Sequence, residues 1–302
     1  MKRGTLLAVM LCALPVQAQD TGLSLMRIGI NARAGAMGDA QVAATRNAFA
    51  TYWNPAGLAD AENSLGASHR IWVGDLRAYD IAARLPAGTR GAWGLALMAT
   101  DSGSLEARDS PGDPDGTFSA QFLSFGTSYA RVLSILRIGV SAKFLRERIF
   151  NTSATGYALD AGVQVDVLKG LATLGAAYRN AGRMSVLEQQ RTPLPRLVQT
   201  GVAIHPFQIV AGSDETRILD LMASLEMSHL FASRLTRLHA GLSVTIMELV
   251  DLRGGYVSRD ELRNFTFGVG LRFTSIMMDY AFIPFEEGFN DPGHVLSLSH
   301  AW

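Results

Sequence analysis

A strict alternation of side-chain character at residues 263–273, RNFTFGVGLRF, most constrains what this chain can form. Every second side chain from Phe265 to Phe273 is apolar, whereas the positions between them are small or polar. Successive side chains of a β-strand point to opposite faces, so one face of such a strand is wholly apolar. The alternation therefore predicts a strand with one apolar and one polar face, a pattern that a half-buried strand of a soluble protein also shows.

The alternation recurs from residue 63 to the C-terminus. Three of the apolar faces are Tyr79, Ile81, Ala83 and Leu85; Leu136, Ile138, Val140, Ala142 and Phe144; and Leu238, Ala240, Leu242 and Val244. We count about fourteen such runs, and membrane strands of about 9–11 residues would leave a short turn between most of them. An even number of strands is typical of bacterial outer-membrane barrels.

Aromatic residues stand at or near the predicted strand ends, where the aromatic girdles of an outer-membrane barrel lie. They are Tyr79, Trp93, Tyr129, Tyr157, Tyr178, Tyr256, Tyr280 and Trp302. The last run carries Leu296, Leu298, His300 and Trp302 on one face and predicts the strand that closes the barrel. Together these features predict an all-β fold, a transmembrane antiparallel β-barrel of about fourteen strands, in preference to a soluble β-sandwich.

The first residues have the pattern of an export signal. Lys2 and Arg3 precede a short apolar stretch at residues 6–14, and Ala18 ends a small-residue cleavage site. We therefore expect residues 1–18 to be a cleaved signal peptide, because the apolar stretch is too short to anchor the chain as a membrane helix. The only cysteine, Cys12, lies in this segment. Export and the barrel pattern together predict the outer membrane of a Gram-negative bacterium, with outer-membrane lipid as a partner.

Composition argues against several other functions. Lysine plus arginine and aspartate plus glutamate are equal at 27 each, so net charge does not favour nucleic acid as a partner. The 30 glycines fit strand faces where a tilted strand curves or where a lumen stays open. The six histidines show no metal-ligand spacing, and no phosphate-binding loop or nucleophile elbow is present. We predict that the protein is not an enzyme and has no catalytic residues, metal or cofactor.

Residues 32–59 carry two short motifs, GAMGDA at residues 35–40 and YWNPAGLA at residues 52–59. Asn54, Pro55 and Gly57 have the positions that a type I turn favours. The two motifs resemble those of the PorV/PorQ family, relatives of the FadL-type outer-membrane transporters. Asp39 replaces the glycine that is usual in the first motif. The residues that carry the resemblance are Gly35, Met37, Gly38, Tyr52, Trp53, Asn54, Pro55, Ala56, Gly57 and Leu58.

The resemblance implies a barrel at residues 61–302 and an N-terminal segment, residues 19–60, that folds inward as a plug. In FadL-like members of this group, long-chain fatty acids or other hydrophobic molecules pass through the barrel wall. PorV-like members are partners of the type IX secretion system, where they accept secreted cargo proteins. The motifs alone do not choose between these two functions.

Charged residues fall on the polar face of nearly every predicted strand and are lumen candidates. They are Asp80, Arg84, Arg137, Lys143, Asp160, Asp166, Arg179, Asp220, Glu226, Arg237, Asp251, Arg253, Arg272 and Asp279. Because both signs are interspersed, we favour a salt-bridged, water-filled interior over a selective polar pore, which would use the same residues.

Three functions fit these features. We favour a PorV-like secretion partner, in which loops such as residues 101–118 and 184–195 would hold secretion-system proteins or secreted cargo. The alternative is a FadL-like channel for a hydrophobic ligand, with the N-terminal segment as a movable plug. A purely structural outer-membrane protein is the third possibility. Openings in the wall with an apolar pocket behind the plug would favour the channel.

Overall fold

A computed structural model describes residues 23–108, 112–211, 216–286 and 291–302. The predicted signal peptide at residues 1–18, with Cys12 inside it, lies outside the described residues. In the described chain, fourteen antiparallel strands form one closed barrel. This arrangement confirms the fold class predicted from the alternation.

Eighteen strands are present in the described residues. They are β1 (Ser64–Ile71), β2 (Arg77–Pro86), β3 (Gly91–Asp101), β4 (Leu105–Ala107), β5 (Gly116–Phe118), β6 (Ala120–Leu133), β7 (Leu136–Ile149), β8 (Thr152–Val167), β9 (Ala172–Met184), β10 (Val186–Leu187), β11 (Gln190–Arg191), β12 (Leu197–Ala211), β13 (Thr216–Leu230), β14 (Leu235–Ile246), β15 (Val250–Val257), β16 (Phe265–Phe273), β17 (Ile276–Ile283) and β18 (Gly293–Ala301). Strands β4 and β5, and strands β10 and β11, form two small hairpins in the predicted loops. The other fourteen strands build the barrel.

The barrel closes where the first strand meets the last. Strand β18 pairs with β1 from Ser64 opposite Ala301 to Ile71 opposite His294. The backbone N–H of Trp302 donates to the carbonyl of Asn63 at 3.0 Å, just beyond this ladder. Closure gives every barrel strand a hydrogen-bonded neighbour on each side. A sheet in hydrocarbon needs this, because lipid offers no hydrogen-bond partners to the backbone of an unpaired strand edge.

The two ends of the barrel differ in their connections. One end carries the start of β1, the end of β18 and short turns such as residues 134–135 and 274–275. The other end carries the two hairpins. Because outer-membrane barrels have short periplasmic turns and longer extracellular loops, we call the first end the periplasmic rim and the second the extracellular rim.

The apolar faces predicted from the sequence lie on the outside of the barrel. Val140, Leu225 and Phe265 keep 57%, 56% and 59% of their surface exposed, whereas Ser141 and Glu226 beside them in sequence are buried. A β-sandwich would bury the apolar side chains between two layers. A closed barrel with an apolar exterior instead matches hydrocarbon, and it confirms the predicted position in the outer membrane.

Aromatic pairs mark both edges of the apolar band. At the periplasmic rim the Trp93 and Tyr129 ring centroids are 4.9 Å apart. Towards the extracellular rim the Tyr256 and Phe265 ring centroids are 5.1 Å apart. Aromatic side chains at these two levels suit the interfaces between hydrocarbon and headgroups.

Residues 23–60, which we call the inner segment, lie inside the barrel. They contain the 3₁₀-helices Ser24–Arg27 and Pro55–Leu58 and the short α-helices α1 (Ala32–Ala36) and α2 (Ala50–Trp53). A third 3₁₀-helix, Leu168–Gly170, stands in a periplasmic turn. Within the described residues, none of the helices has both the length and the apolar character that crossing a membrane requires. Beyond α1 the chain turns at Gly38, whose φ of +61° is a conformation that glycine adopts without strain.

The exterior can be tested by placing a charge at two depths. We expect Val140→Arg, near the middle of the apolar band, to lower the free energy of unfolding in lipid by about 2–4 kcal/mol. Ser153→Arg, an outward position at the extracellular rim, should cost about 0–1 kcal/mol. Denaturant titration of both variants refolded into bilayers measures the difference. Equal costs at the two sites would contradict contact between this face and hydrocarbon.

Candidate functional site

Glycines line the inner face of the wall where the inner segment comes closest. A methyl group added at Gly241 would lie 2.7 Å from the Met37 carbonyl oxygen, and one added at Gly162 would collide with the Asn54 side chain. Glycine in a strand often marks the close approach of another backbone. The expectation that small residues keep the lumen open is therefore corrected, because these glycines make room for the inner segment.

Asn54, at the centre of the second motif, ties the inner segment to the wall. Its side-chain amide donates to the Val42 carbonyl at 2.8 Å and to the Val163 carbonyl of β8 at 3.2 Å. Its Oδ1 accepts from the Ala56 N–H at 3.1 Å, and the Gly57 N–H donates to the Asn54 carbonyl at 3.0 Å. The side chain is fully buried, so each of these bonds satisfies a group that water cannot reach.

A buried carboxylate holds the middle of the inner segment. Oε2 of Glu226 on β13 accepts from the backbone N–H groups of Gln41 and Val42, both at 2.8 Å. Its Oε1 accepts from the Gln199 side chain at 2.5 Å. The side chain is buried, so water cannot replace these bonds, and Glu226 is a principal anchor of the inner segment.

Helix α1 is anchored to the strands that close the barrel. The Ala32 N–H donates to the Ser297 hydroxyl of β18 at 2.7 Å. The Gly38 N–H donates to the Thr266 hydroxyl of β16 at 3.1 Å, and that hydroxyl donates to the Ala36 carbonyl at 3.1 Å. Three backbone groups in and just after this short helix, which has few hydrogen bonds of its own, thus have partners on the wall.

Many of the predicted lumen charges are buried on the inner face and paired with the opposite sign. Lys143 Nζ lies 2.5 Å from Asp160 Oδ2. Arg253 contacts Asp251 at 2.7 Å and Asp279 at 2.6 Å. Lys143 and Asp160 stand on the neighbouring strands β7 and β8, whereas Arg253 pairs with Asp251 of its own strand β15 and with Asp279 of β17, two strands away.

Other predicted charges contact charged residues of the inner segment that were not predicted. Arg137 contacts Asp166 at 2.7 Å and also Asp60 of the inner segment at 2.9 Å. Asp166 pairs in addition with Arg46 of the inner segment. At the periplasmic rim the inner segment is thus held by ion pairs as well as by hydrogen bonds.

The remaining lumen candidates are less uniform. Arg84 Nε donates to the Leu58 carbonyl of the inner segment at 3.2 Å, and Arg272 is exposed at the periplasmic rim. The other three have a partner of opposite or potentially opposite charge on the wall or in a loop: Asp80 with Arg70 at 3.8 Å, Asp220 with His205 at 3.4 Å and Arg237 with Asp260 at 3.3 Å. Asp39 pairs with Arg263 between the inner segment and the wall. The inner face therefore carries pairs of opposite sign distributed over several strands.

Arg179 lies against two aromatic rings of the second motif. Its guanidinium carbon is 4.1 Å from the Tyr52 ring centroid and 5.5 Å from that of Trp53, and its Nη1 donates to the Gln199 side chain at 3.0 Å. The Tyr52 hydroxyl donates towards the Met26 carbonyl at 2.6 Å. Burial raises the pKa of the Tyr52 phenol, which keeps this hydroxyl a donor.

The lumen also contains an apolar cluster, whose members on the wall lie in its extracellular half. Its larger members are Met26, Ile30, Phe49, Tyr52 and Trp53 from the inner segment and Met98, Phe122, Leu145 and Met184 from strands β3, β6, β7 and β9. The sequence analysis missed the four wall residues, because it treated the inner face as small or polar. We call this group the apolar cluster.

Two small cavities flank the motif aromatics. One, of about 40 Å³, has a mixed lining in which Arg27, Asp39, Arg179, Gln199 and His239 stand beside Trp53 and three leucines. The other, of about 30 Å³, adjoins the apolar cluster at Met26, Ile30, Ala96 and Met98 and reaches the outward-facing Ile81 and Leu97. The wall beside the second cavity is continuous, since β2 and β3 pair from Arg77 opposite Asp101 to Pro86 opposite Ala92.

Comparisons with known proteins identify the fold. No family model and no curated protein matches the chain. It is similar to the toluene transporter TbuX of Ralstonia pickettii, with a TM-score of 0.62, 15% identity and coverage of 91% of this chain and 98% of that chain. It is also similar to the Pseudomonas putida toluene transporter TodX, with a TM-score of 0.61, 13% identity and coverage of 93% and 98%.

A FadL homologue of Pseudomonas aeruginosa is similar as well, with a TM-score of 0.50, 12% identity and coverage of 89% of this chain and 97% of that chain. At these identities the similarity concerns the fold. It supports the FadL-like part of the motif resemblance, whereas these comparisons give no support to the PorV/PorQ part. The chain therefore has the fold of the FadL-type outer-membrane barrels.

Proposed function

We propose that this protein is a FadL-like channel through which small hydrophobic molecules cross the outer membrane. The observation that carries the proposal is the apolar cluster inside the barrel, formed by wall residues such as Phe122 and Leu145 against the inner segment. The fold, which is shared with two structures described as toluene transporters, supports the same function. This is the alternative of the sequence analysis, and it now has better support than the secretion hypothesis.

An apolar lining favours a hydrophobic passenger on simple physical grounds. A water-filled pore gains nothing from buried methionine, phenylalanine and leucine side chains on its inner face. A hydrocarbon gains about 25 cal/mol for each Å² of apolar surface that leaves water. The wall residues of the apolar cluster, in the extracellular half of the lumen, thus offer such a molecule a first site after it leaves the medium.

The inner segment blocks direct passage, so some part of it must move in a channel. Residues 32–42 are held to β13, β16 and β18 by directional hydrogen bonds at Ala32, Gly38 and Gln41. Met26 and Phe49, in contrast, contact the wall through apolar side chains. Apolar contacts can be exchanged for contacts with a hydrocarbon, whereas buried hydrogen bonds cannot. We therefore infer that a passenger displaces side chains in the apolar cluster while residues 32–42 stay in place.

The secretion-partner hypothesis now rests on the two motifs of the inner segment. In this structure those motifs are buried inside the barrel, where Asn54 and Trp53 contact neighbouring parts of the same chain. They therefore account for the packing of the inner segment without a partner protein. Recovery of secretion-system proteins with the purified barrel would favour that hypothesis over the channel.

The channel is tested by uptake of labelled toluene into Gram-negative cells that lack other hydrocarbon channels. Cells that express the protein should take up toluene faster than cells with an empty vector. Leu145→Asn should reduce that excess about tenfold, because an unpartnered amide in an apolar passage costs about 1–3 kcal/mol. Uptake is normalised to folded barrel by its heat-modifiable gel mobility.

Leu197→Asn is the matched control for this test. Leu197 is a buried leucine near the extracellular rim on β12, but it lines the cavity beside Arg179 and is not a member of the apolar cluster. We expect this variant to keep its uptake. No excess uptake by the folded wild-type protein would contradict the channel, and equal losses in both variants would contradict passage along the apolar cluster.

A disulfide tests whether residues 32–42 stay in place. A Cβ built on Gly35 of α1 lies 3.6 Å from Cβ of Ala281 on β17, within the range for a disulfide. We expect the oxidised Gly35→Cys, Ala281→Cys protein to keep toluene uptake. The two single variants are the controls. Loss of uptake that a reductant restores would show instead that α1 must leave the wall.

The Glu226 anchor is tested by ion conductance in planar bilayers. Glu226→Ala leaves two buried N–H groups without acceptors, each of which costs about 1–3 kcal/mol, so the inner segment should loosen and basal conductance should rise. Glu147→Ala removes another buried carboxyl group, which accepts from Thr192 at 2.7 Å and has no hydrogen bond or ion pair with the inner segment among the described residues. Unchanged conductance in Glu226→Ala, or an equal rise in both variants, would contradict the anchor.

A further inference from the structure

Three arginines point outward at the extracellular rim on the two strands that flank β8. Arg146 and Arg148 lie near the end of β7, and Arg183 lies near the end of β9. All three side chains are exposed, whereas Glu147 between the first two is buried on the inner face. The alternation thus places these cations on the outside of the barrel, apart from the paired charges of the lumen.

The depth of the arginines follows from the apolar band beneath them. Outward side chains of β7 are apolar from Leu136 to Phe144, and Arg146 is the next outward residue. Ten residue steps of about 3.3 Å separate Leu136 from Arg146, which at a strand tilt of about 40° is about 25 Å of height, the height of the apolar band in such barrels. Arg146 and Arg148 therefore follow directly beyond the extracellular edge of the band, at the level of lipid headgroups.

The register brings hydroxyl groups between the arginines. Arg146 is opposite Thr155 and Arg148 is opposite Ser153 on β8, and both hydroxyl side chains are exposed. Arg183 flanks the same strand from the other side. Two outward hydroxyl groups thus stand between guanidinium groups on either side of β8, and all of these groups are donors that suit phosphate oxygens.

No acidic side chain of the described residues neutralises this group by an ion pair. The Arg183 guanidinium carbon lies 5.8 Å from the Tyr157 ring centroid, an aromatic contact that leaves its hydrogen-bond donors available. Glu188 in the adjacent hairpin accepts from the Thr152 hydroxyl at 3.0 Å, and not from the arginines. The outward extracellular positions of β15 to β17, in contrast, carry Tyr256, Phe265 and Phe282.

We propose that Arg146, Arg148 and Arg183 bind the phosphate groups of lipopolysaccharide, the phosphorylated glycolipid of the outer leaflet. Guanidinium groups pair with phosphate oxygens in a bidentate manner, and cations at a membrane surface attract anionic headgroups. The acyl chains of the same lipid would lie on the apolar band below, at Val140 and Phe144. This site would fix the depth and surroundings of the β7–β9 sector independently of what passes through the lumen.

The site is tested by titrating the purified full-length protein with bisphosphorylated lipid A and with its dephosphorylated form in one nonionic detergent. The wild-type protein should prefer the phosphorylated form. Changing all three arginines to glutamine should weaken its binding about 100-fold, because each cation near a membrane surface contributes about fivefold. Changing all three to lysine keeps the charge and should keep binding within about tenfold.

The matched control removes three exposed cations from the opposite rim. Arg90→Gln, Arg131→Gln and Lys169→Gln give the same change in net charge, and this variant should bind bisphosphorylated lipid A as the wild type does. Equal binding of both lipid forms by the wild type would overturn the proposal. An equal loss in the control variant would overturn it too, since the effect would then be one of net charge. Heat-modifiable mobility shows that each variant compared is folded.

Discussion

The structure depends on one constraint, the close approach of an irregular chain to the inner wall of a closed barrel. The inner segment has only four or five residues in each of its helices, so much of its backbone needs hydrogen-bond partners from the wall. The wall provides them through Glu226, Thr266 and Ser297. Glycines such as Gly162 and Gly241 let the two backbones come close enough for these bonds. A larger residue on either side would separate the donors from their acceptors.

The wall was predictable because its two surroundings differ. Hydrocarbon outside and a packed lumen inside impose a period of two on every strand, so Phe265 to Phe273 reveals both the strand and its orientation. The short hairpins were not predicted, because β4 and β5 lie in a polar loop where alternation has no such cause. Charges such as Lys143 and Asp160 could be assigned to the inner face, although the sequence could not show which of them meet.

The contents of the lumen were harder to predict, for a physical reason. The path of the inner segment depends on contacts between residues far apart in sequence, such as Val42 with Glu226, and these leave no local pattern. The apolar cluster did leave a signal that alternation alone overlooks. Met98, Phe122 and Leu145 each stand next to an outward apolar residue, so an apolar doublet within a strand marks a place where both faces are apolar. Met184 follows Arg183 and gave no such signal.

The two sides of the lumen differ in what a moving molecule would have to break. On the side of β13 to β18 the inner segment is held by buried hydrogen bonds and by the Asp39–Arg263 pair, and loss of one partner leaves a desolvated group. On the side of β3 to β9, in the extracellular half, the contacts are largely apolar, so a hydrocarbon can replace one contact by another at little cost in free energy. Displacing side chains of the inner segment therefore costs less free energy next to Phe122 and Leu145 than next to Glu226. This difference explains how the inner segment can be firmly anchored to β13 to β18 while its apolar side chains next to β3 to β9 can still be displaced.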